Sequence, residues 1–379
     1  MLTSKRSNQA LASLLILLFA AGLVVGGLGI YYLTYRQVTG LNNQINNLQS
    51  QISNLKGFQN ATYQNITILQ NGTSLTSMYQ GIRDSVVLIE GDTSSGTQQG
   101  SGFVYTFDDR TVVLTNYHVV QGTSSLSVTF SDGHGYSATV LGKDPYSDLA
   151  VVSVNGAPDS ELKPISIVSS SALEVGEPVI AIGNPYGLVG SLTTGTVSAL
   201  GRTITEDTAG GFAIANIIQT STPINPGNSG GPLLNAVGNV VGITTAIVSN
   251  SQGLGFAIPS DTILKEVSAL ISTGSYNGHS YLGVTGQDMS YSVAQENGAS
   301  VTYGWKIASV VSGGPSDGKL NVGDIIIALN NQTIRNNDDL ASYLEQHTLP
   351  GDSLSVTVVR GSSQVPITVV LGARPAPST

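Results

Sequence analysis

From Asp84 to Ile258 the chain is cut every few residues by Gly, Asn, Asp or Pro, and the pieces between the cuts are apolar and β-branched. The runs are Ser85–Glu90, Gly102–Phe107, Thr111–Thr115, Leu126–Phe130, Ala138–Leu141, Leu149–Val154, Pro178–Ile182, Leu192–Leu200, Ala213–Thr220, Val240–Val248 and Leu254–Ile258. Many short strands at this spacing close into a barrel or a sandwich, so the expected fold class is mainly β. The first helix is predicted at Ser260–Ser272, with Ser260 or Asp261 as its cap. Charged residues at 10% and 45 glycines fit a turn-rich β chain, and 40% apolar residues suffice for packed cores. Zero cysteines exclude disulfide scaffolds, thiol catalysis and thiolate metal sites. A length of 379 residues suits two domains with tails.

Charge is unevenly spread. Lys5, Arg6, Arg36, Lys56 and Arg83 are the only ionisable acids or bases of their kind before Asp84, so all 24 acids lie beyond them, against ten basic residues. So acidic a body repels nucleic acid and anionic lipid, and no nucleic-acid partner is expected. Residues 1–9 read as a cytoplasmic tail and residues 10–33 as a transmembrane helix: Ala10 to Leu33 carries no ionisable side chain before Tyr31. Thirteen of those residues are Leu, Ile, Val or Phe. At roughly −0.4 kcal/mol each, they favour insertion by about 5 kcal/mol. A signal peptide cut near Phe19-Ala20-Ala21-Gly22 is the other reading, but the apolar run continues well past Gly22. Lys5 and Arg6 place the N-terminus inside, giving a single-pass protein of the cell membrane whose remainder is extracytoplasmic.

Residues 34–80 form a polar stalk rich in Asn, Gln, Ser and Thr. Val38, Leu41, Ile45, Leu48, Ile52 and Leu55 recur at steps of three and four, a short coiled-coil pattern that a lone amphipathic helix or polar linker also explains. Asn60, Asn65 and Asn71 in the stalk, and Asn331 far beyond it, open glycosylation sequons.

Three polar residues sit where strands meet turns. His118 ends the apolar run Leu114–Val120, Asp148 directly precedes the strand Leu149–Val154, and Ser229 lies in Asn225-Pro-Gly-Asn-Ser-Gly-Gly-Pro232. His134, His279 and His347 lie in polar turn or helix-end contexts and read as surface residues. Each of the three has a bland reading alone: a core histidine, a capping aspartate, a glycine turn. Together they supply the parts of nucleophilic catalysis. A serine hydroxyl needs a base within hydrogen-bond reach. Imidazole, with a pKa of about 6.5, accepts that proton and returns it to the leaving amine. The aspartate fixes the tautomer and stabilises the imidazolium. An oxyanion hole is expected at Gly227, Asn228 and Ser229, the amides of Gly227 and Ser229 each contributing roughly 3 kcal/mol. Such a mechanism needs neither metal nor cofactor.

The segments Gly100-Ser-Gly-Phe103, Thr115-Asn-Tyr-His118, Asp144-Pro-Tyr-Ser-Asp-Leu-Ala150, Ile182-Gly-Asn-Pro-Tyr-Gly-Leu188, Gly195–Arg202, Ile224–Leu233 and Gly253–Ser260 follow one another in order. In them the chain resembles the HtrA/DegP family of chymotrypsin-like serine proteases, with a DegS-like layout of anchor, protease and single PDZ domain. The resemblance implies a double β-barrel over 81–272 with the triad between the barrels. It also implies endopeptidase action on unfolded or damaged exported proteins, and a homotrimer built through the protease domain. The stalk pattern by itself favours a two-stranded coil instead. Ser221-Thr222-Pro223 stands where the family usually has Asp-Ala-Ala. Pro223, at the position that is acidic in enzymes specific for basic residues, suggests a shallow apolar specificity pocket walled by Ile224, Thr244, Thr245 and Ala246. The same fold with an idle triad would serve as a chaperone or peptide-binding scaffold.

Residues 280–372, with Tyr281-Leu-Gly-Val284, Gly323–Asn330, the helical run Asn337–His347 and Leu354–Arg360, resemble an α+β PDZ domain. Its carboxylate-binding loop is expected at Tyr281, Leu282, Gly283 and Val284, holding peptide C-termini by backbone amides.

Overall fold

The computed structural model describes residue 36 and residues 73–94, 96–184, 190–205, 213–245 and 254–375. The apolar run 10–33, the coiled-coil pattern and the sequons at Asn60, Asn65 and Asn71 lie outside them. Among the described residues no helix is long and apolar enough to cross a membrane.

The first barrel holds β1 (Val86–Thr93), β2 (Gly96–Phe107), β3 (Arg110–Asn116), β4 (Ser125–Thr129), β5 (Gly135–Asp144) and β6 (Leu149–Val154), closed in the order β1-β2-β3-β6-β5-β4. The second holds β7 (Pro178–Gly183), β8 (Ser191–Thr205), β9 (Ala213–Thr220), β10 (Pro232–Asn235), β11 (Val240–Thr245) and β12 (Gly255–Pro259), in the order β10-β11-β12-β9-β8-β7. Closure removes the exposed edges that so many short strands would otherwise present. Val87, Ile89, Val104, Val113, Val128, Phe130 and Val152 fill the first barrel. Val179, Ala181, Val197, Ile218, Leu233, Val241 and Ala257 fill the second. Phe103, Leu114, Val151, Ile180, Ile217 and Ile243 belong to a shared core cluster.

The expected strands are present, with four differences that have physical causes. Ser85 belongs to a 3₁₀ turn, Arg83–Ser85, and β1 begins at Val86. Strand β10 was hidden in the sequence because it starts at Pro232 straight after two glycines; its pairing with β7 and β11 holds it in place. The helix Ser260–Thr273 is capped neither by Ser260 nor by Asp261. The Ser260 hydroxyl instead donates to Val168 O at 2.6 Å, and the Asp261 amide donates to Ser170 Oγ at 3.2 Å. Finally, residues read as the end of the stalk form a helix, α1 (Thr73–Ile82), whose Leu75, Met78, Tyr79 and Ile82 pack on the protease core. A four-residue helix, α2 (Tyr117–Val120), follows β3, and the Ser260–Thr273 helix is α3.

The C-terminal domain contains β13 (Ser280–Tyr281), β14 (Val284–Asp288), α4 (Tyr291–Asn297), β15 (Trp305–Val310), β16 (Ile325–Leu329), β17 (Gln332–Thr333), α5 (Asn337–His347), β18 (Ser353–Arg360), β19 (Ser363–Val370) and β20 (Gly372–Ala373). Its main sheet runs β14-β15-β16-β18-β19, which leaves β14 at an edge. Asn330 and Asn331 turn the β16–β17 hairpin with φ of 44° and 68°, and Asn331 is exposed there. Helix α5 docks on the β8–β9 hairpin: Asp338 accepts from the Arg202 guanidinium at 3.1 Å and the Thr203 amide at 2.8 Å, and Ser342 Oγ donates to Gly201 O at 2.9 Å.

Helix α3 lies so close to β5 that a Cβ at Gly142 would stand 2.1 Å from Leu270 O and 2.7 Å from Leu270 C. Those atoms are helix backbone and cannot rotate away. Gly142→Ala is therefore expected to lower stability by about 1–3 kcal/mol, read as a drop in melting temperature; an unchanged melting curve would show that α3 moves freely on β5.

Candidate active site

The three residues singled out from the sequence come from three different elements. His118 is on α2, Asp148 ends the turn between β5 and β6, and Ser229 sits in the loop between β9 and β10. Asp148 is 1% exposed and holds a left-handed backbone conformation at φ 52°, unusual for a side-chain-bearing residue. Its carbonyl accepts from the Tyr117 amide at 3.0 Å and from Asn116 Nδ2 at 3.0 Å, so β3 fixes the turn from both sides. The carboxylate then faces His118. His118 Nδ1 lies 3.0 Å from Oδ1 and 2.8 Å from Oδ2, and the His118 amide donates to Oδ1 at 2.9 Å. Held on its Nδ1 side, the imidazole carries its proton there and leaves Nε2 as the basic nitrogen. Gln98 Nε2 donates to the His118 carbonyl and anchors α2 to β2.

Ser229 is buried to 5% exposure in a turn that glycines make possible. Gly227 has φ 98° and Gly230 φ 87°. A Cβ on Gly230 would lie 2.0 Å from Ser101 O and 2.3 Å from Thr115 Oγ1. The Asn228 amide donates to Asn225 O at 2.9 Å, so of the three residues expected at the oxyanion hole, Asn228 spends its N–H within the turn. Gly227 and Ser229 remain as the two that fit that role.

Ser101 is the residue whose role sequence reasoning missed. Its amide donates to Ser229 O at 2.7 Å, and its hydroxyl donates to Gly227 O at 2.6 Å while accepting from the Asn184 amide at 2.8 Å. Its carbonyl accepts from Thr115 Oγ1 at 2.7 Å. One fully buried serine on β2 thereby holds both ends of the nucleophile turn and the end of β7. The sequence offered one signal, the small residues of Gly100-Ser-Gly102, which leave room for that approach.

Of the expected pocket wall, the two threonines make buried hydrogen bonds. Thr244 Oγ1 donates to Asn228 O at 2.6 Å, under the nucleophile turn, and Thr245 Oγ1 donates to Asp148 Oδ2 at 3.2 Å. The hydroxyls of both threonines are thus engaged by the catalytic elements. Pro223 is exposed and Ile224 half-buried against the second-barrel core; Ala246 lies outside the described residues.

In the C-terminal domain, Tyr281, Leu282, Gly283 and Val284 run between β13 and β14. Gly283 O accepts from the Val311 amide at 2.9 Å and Leu282 O from Ser316 Oγ at 2.6 Å, which fixes the loop. Beside it is a cavity of about 210 Å³ between β14 and α5, with Leu340 and Leu344 on one side and Ala213 and Arg374 at its rim. Of the histidines expected at the surface, His134 and His347 are exposed, but His279 is buried to 5% exposure.

This geometry matches known proteins. A trypsin-like peptidase domain is recognised over residues 100–243 and a PDZ domain over residues 280–371. The chain is 39% identical to the chloroplastic protease Do-like 1 of Arabidopsis thaliana over 293 residues, 73% of this chain and 64% of that protein. It is 37% identical to the serine protease Do-like HtrA of Bacillus subtilis over 289 residues, 72% of this chain and 64% of that one. The chain thus spans a little under two thirds of these relatives. The HtrA-type protease AlgW with tripeptide superposes with a TM-score of 0.64 at 31% identity, covering 80% of this chain and 98% of that structure. With two closed barrels, a histidine–aspartate pair beside a glycine-held serine, and a PDZ domain behind them, the chain belongs to the HtrA family of trypsin-like serine proteases.

Proposed function

We propose that the protein is an extracytoplasmic serine endopeptidase anchored in the cell membrane through residues 10–33, acting on unfolded or damaged exported proteins. The observation that carries the reading is the approach of both Asp148 carboxylate oxygens to His118 Nδ1, in a fold that also holds Ser229 in a turn opened by two positive-φ glycines. Ser229 Oγ attacks the scissile carbonyl while His118 Nε2 takes its proton. The tetrahedral oxyanion is met by the amides of Gly227 and Ser229, and the imidazolium by Asp148. His118 then protonates the leaving amine, and water repeats the sequence on the acyl-enzyme. In the PDZ domain, a peptide C-terminus adds as a strand to the free edge of β14, its carboxylate on the 281–284 loop and its last side chain between Leu340 and Leu344.

Ser229→Ala is expected to cut kcat on casein by more than about 10³-fold and to abolish labelling by a fluorophosphonate, with the fold unchanged by circular dichroism. A wild-type chain that takes no label and cleaves nothing would instead be a scaffold with an idle triad. Ser101→Ala, which leaves Gly227 O and the Asn184 amide without their partner, is expected to lower kcat about 10²-fold by misplacing the turn, with KM nearly unchanged and labelling slowed in proportion. If KM moves and kcat does not, Ser101 is not a positioning residue.

The primary specificity pocket is read as shallow and apolar. Position 223 has no acid to meet a basic side chain, and Ile224 lies against Gly255, where an added Cβ would come within 2.8 Å of its Cγ1. Cleavage is expected after Val or Ala in a peptide library; cuts mainly after Lys or Arg would overturn this.

Assembly is read as a trimer through the N-terminal part of the protease domain. The apolar face of α1 is already packed on its own domain, so that interface does not need the stalk. A fragment starting at Ile68, which retains α1 whole, is expected to sediment as a trimer. A monomer that assembles only when residues 38–56 are restored would give assembly to the stalk.

A further inference from the structure

A buried cluster of charges, none of them a member of the catalytic triad, lies where the protease domain, the linker and the PDZ domain meet. Asp144 ends β5, Glu266 is on α3, His279 is in the linker and Glu345 is on α5. Asp144 is 2% exposed, Glu266 0% and His279 5%. His279 Nε2 is 2.5 Å from Asp144 Oδ2 and 4.0 Å from Glu266 Oε1, while its Nδ1 is 2.9 Å from Glu345 Oε2. Ser147 Oγ donates to Glu266 Oε2 at 2.6 Å and lies 3.0 Å from Asp144 Oδ2. Glu266 Oε1 is fully buried, lies beside the His279–Asp144 pair, and has no hydrogen-bond partner among the described residues.

We propose that Asp144, Glu266 and His279 form a binding site for one divalent transition-metal ion of the zinc class, which staples the PDZ domain to the protease domain. Three donors, one imidazole nitrogen and two carboxylate oxygens, lie within 4.8 Å of one another. That donor set suits Zn²⁺, which takes nitrogen and oxygen ligands at about 2.0–2.2 Å and leaves a further position for water. Ligand atoms around such an ion stand about 3.2–3.5 Å apart. The His279–Asp144 pair must therefore open, and Glu266 Oε1 must close, by less than about 1 Å each. Glu345 on Nδ1 is the outer carboxylate that metal-bound histidines habitually have; it fixes the ring so that Nε2 faces the other two donors. Ser147 plays the same outer part for both carboxylates.

Burial and the charge of Asp144 push the Glu266 carboxyl well above the usual carboxylate range. Burial lowers His279, but its bonds to Asp144 and Glu345 outweigh this and hold it protonated up to about 10. Lys265, 2.7 Å from Glu345, and the Arg374 guanidinium, which interacts with Glu345 and Asp144, are the other cations that face the group. An ion bound here would take the place of the protons on His279 and Glu266, so its binding competes with protonation.

The test uses the full chain in detergent, stripped with EDTA and desalted, then titrated separately with ZnCl₂, MnCl₂ and MgCl₂. One equivalent of zinc per chain is expected to survive gel filtration, with release of protons, a raised melting temperature, and far weaker binding of magnesium. Glu345→Gln, which keeps the shape of the outer residue, is expected to weaken zinc binding about 10–100-fold. Glu266→Gln is expected to abolish it, and circular dichroism checks that both fold. His134→Ala serves as the control, because Asp132, His134 and Glu161 form a second but exposed group. The proposal is overturned if the wild type retains no zinc at about 100 µM, as a protonated Glu266 alone would give. Zinc that persists in Glu266→Gln, or that is lost in His134→Ala, overturns it equally.

Discussion

The nucleophile turn is held from the opposite barrel by a single buried serine. Ser101 reaches from β2 to bond Ser229 O, Gly227 O and the Asn184 amide, and Thr115 beside it bonds back to Ser101 O. The first three of these contacts cross from the first barrel to the second, so the geometry of the nucleophile turn depends on the two barrels being in register. Gly230 is what allows the approach: with its φ of 87° and Ser101 O 2.0 Å from where a Cβ would sit, no other residue fits. Buried polar groups that meet all their partners are rigid because any displacement leaves a donor or acceptor orphaned in a dry interior. A serine nucleophile gains more from that rigidity than from any contact of its own.

Asp148 is placed by a comparable device. Its turn begins at Asp144, whose Oδ1 accepts from the Tyr146 amide at 2.9 Å, and ends with Asp148 in a left-handed conformation. Two of the same five residues, Asp144 and Tyr146, touch the linker and the C-terminal segment. The guanidinium of Arg374 stacks over the Tyr146 ring at 3.9 Å, and Asp144 bonds His279. The turn that aims the catalytic carboxylate is therefore also the floor on which the PDZ domain rests.

In a chain with only 10% charged residues, several ion pairs meet at this junction. Arg202 with Asp338, Lys265 with Glu345, and His279 with Asp144 all cross from the protease side to the linker or the PDZ side. Apolar surface holds a domain tightly but indifferently to orientation. Charged pairs with defined partners are directional, and displacing one leaves a buried charge uncompensated. Pairs of this kind select one docking orientation for α5 on the β8–β9 hairpin.

These features divide what the sequence made legible from what it did not. Strand positions could be read because period and punctuation are local properties, and the order of His118, Asp148 and Ser229 could be read because each sits at a strand end with a recognisable neighbour sequence. Strand β10 could not, because Pro232 and two glycines argue against a strand until β7 and β11 are present to pair with it. The bond from Thr245 to Asp148 could not be read either, because it joins β11 of one barrel to a turn of the other, 97 positions apart along the chain. His279 is the sharpest case. Tyr276-Asn-Gly-His-Ser280 reads as an exposed turn, and the three acids that bury it come from positions 144, 266 and 345, far away along the chain. Burial of a charged residue is decided by partners at long sequence separation. A junction built from such partners leaves almost no local trace, although it is where the two domains of the molecule are joined.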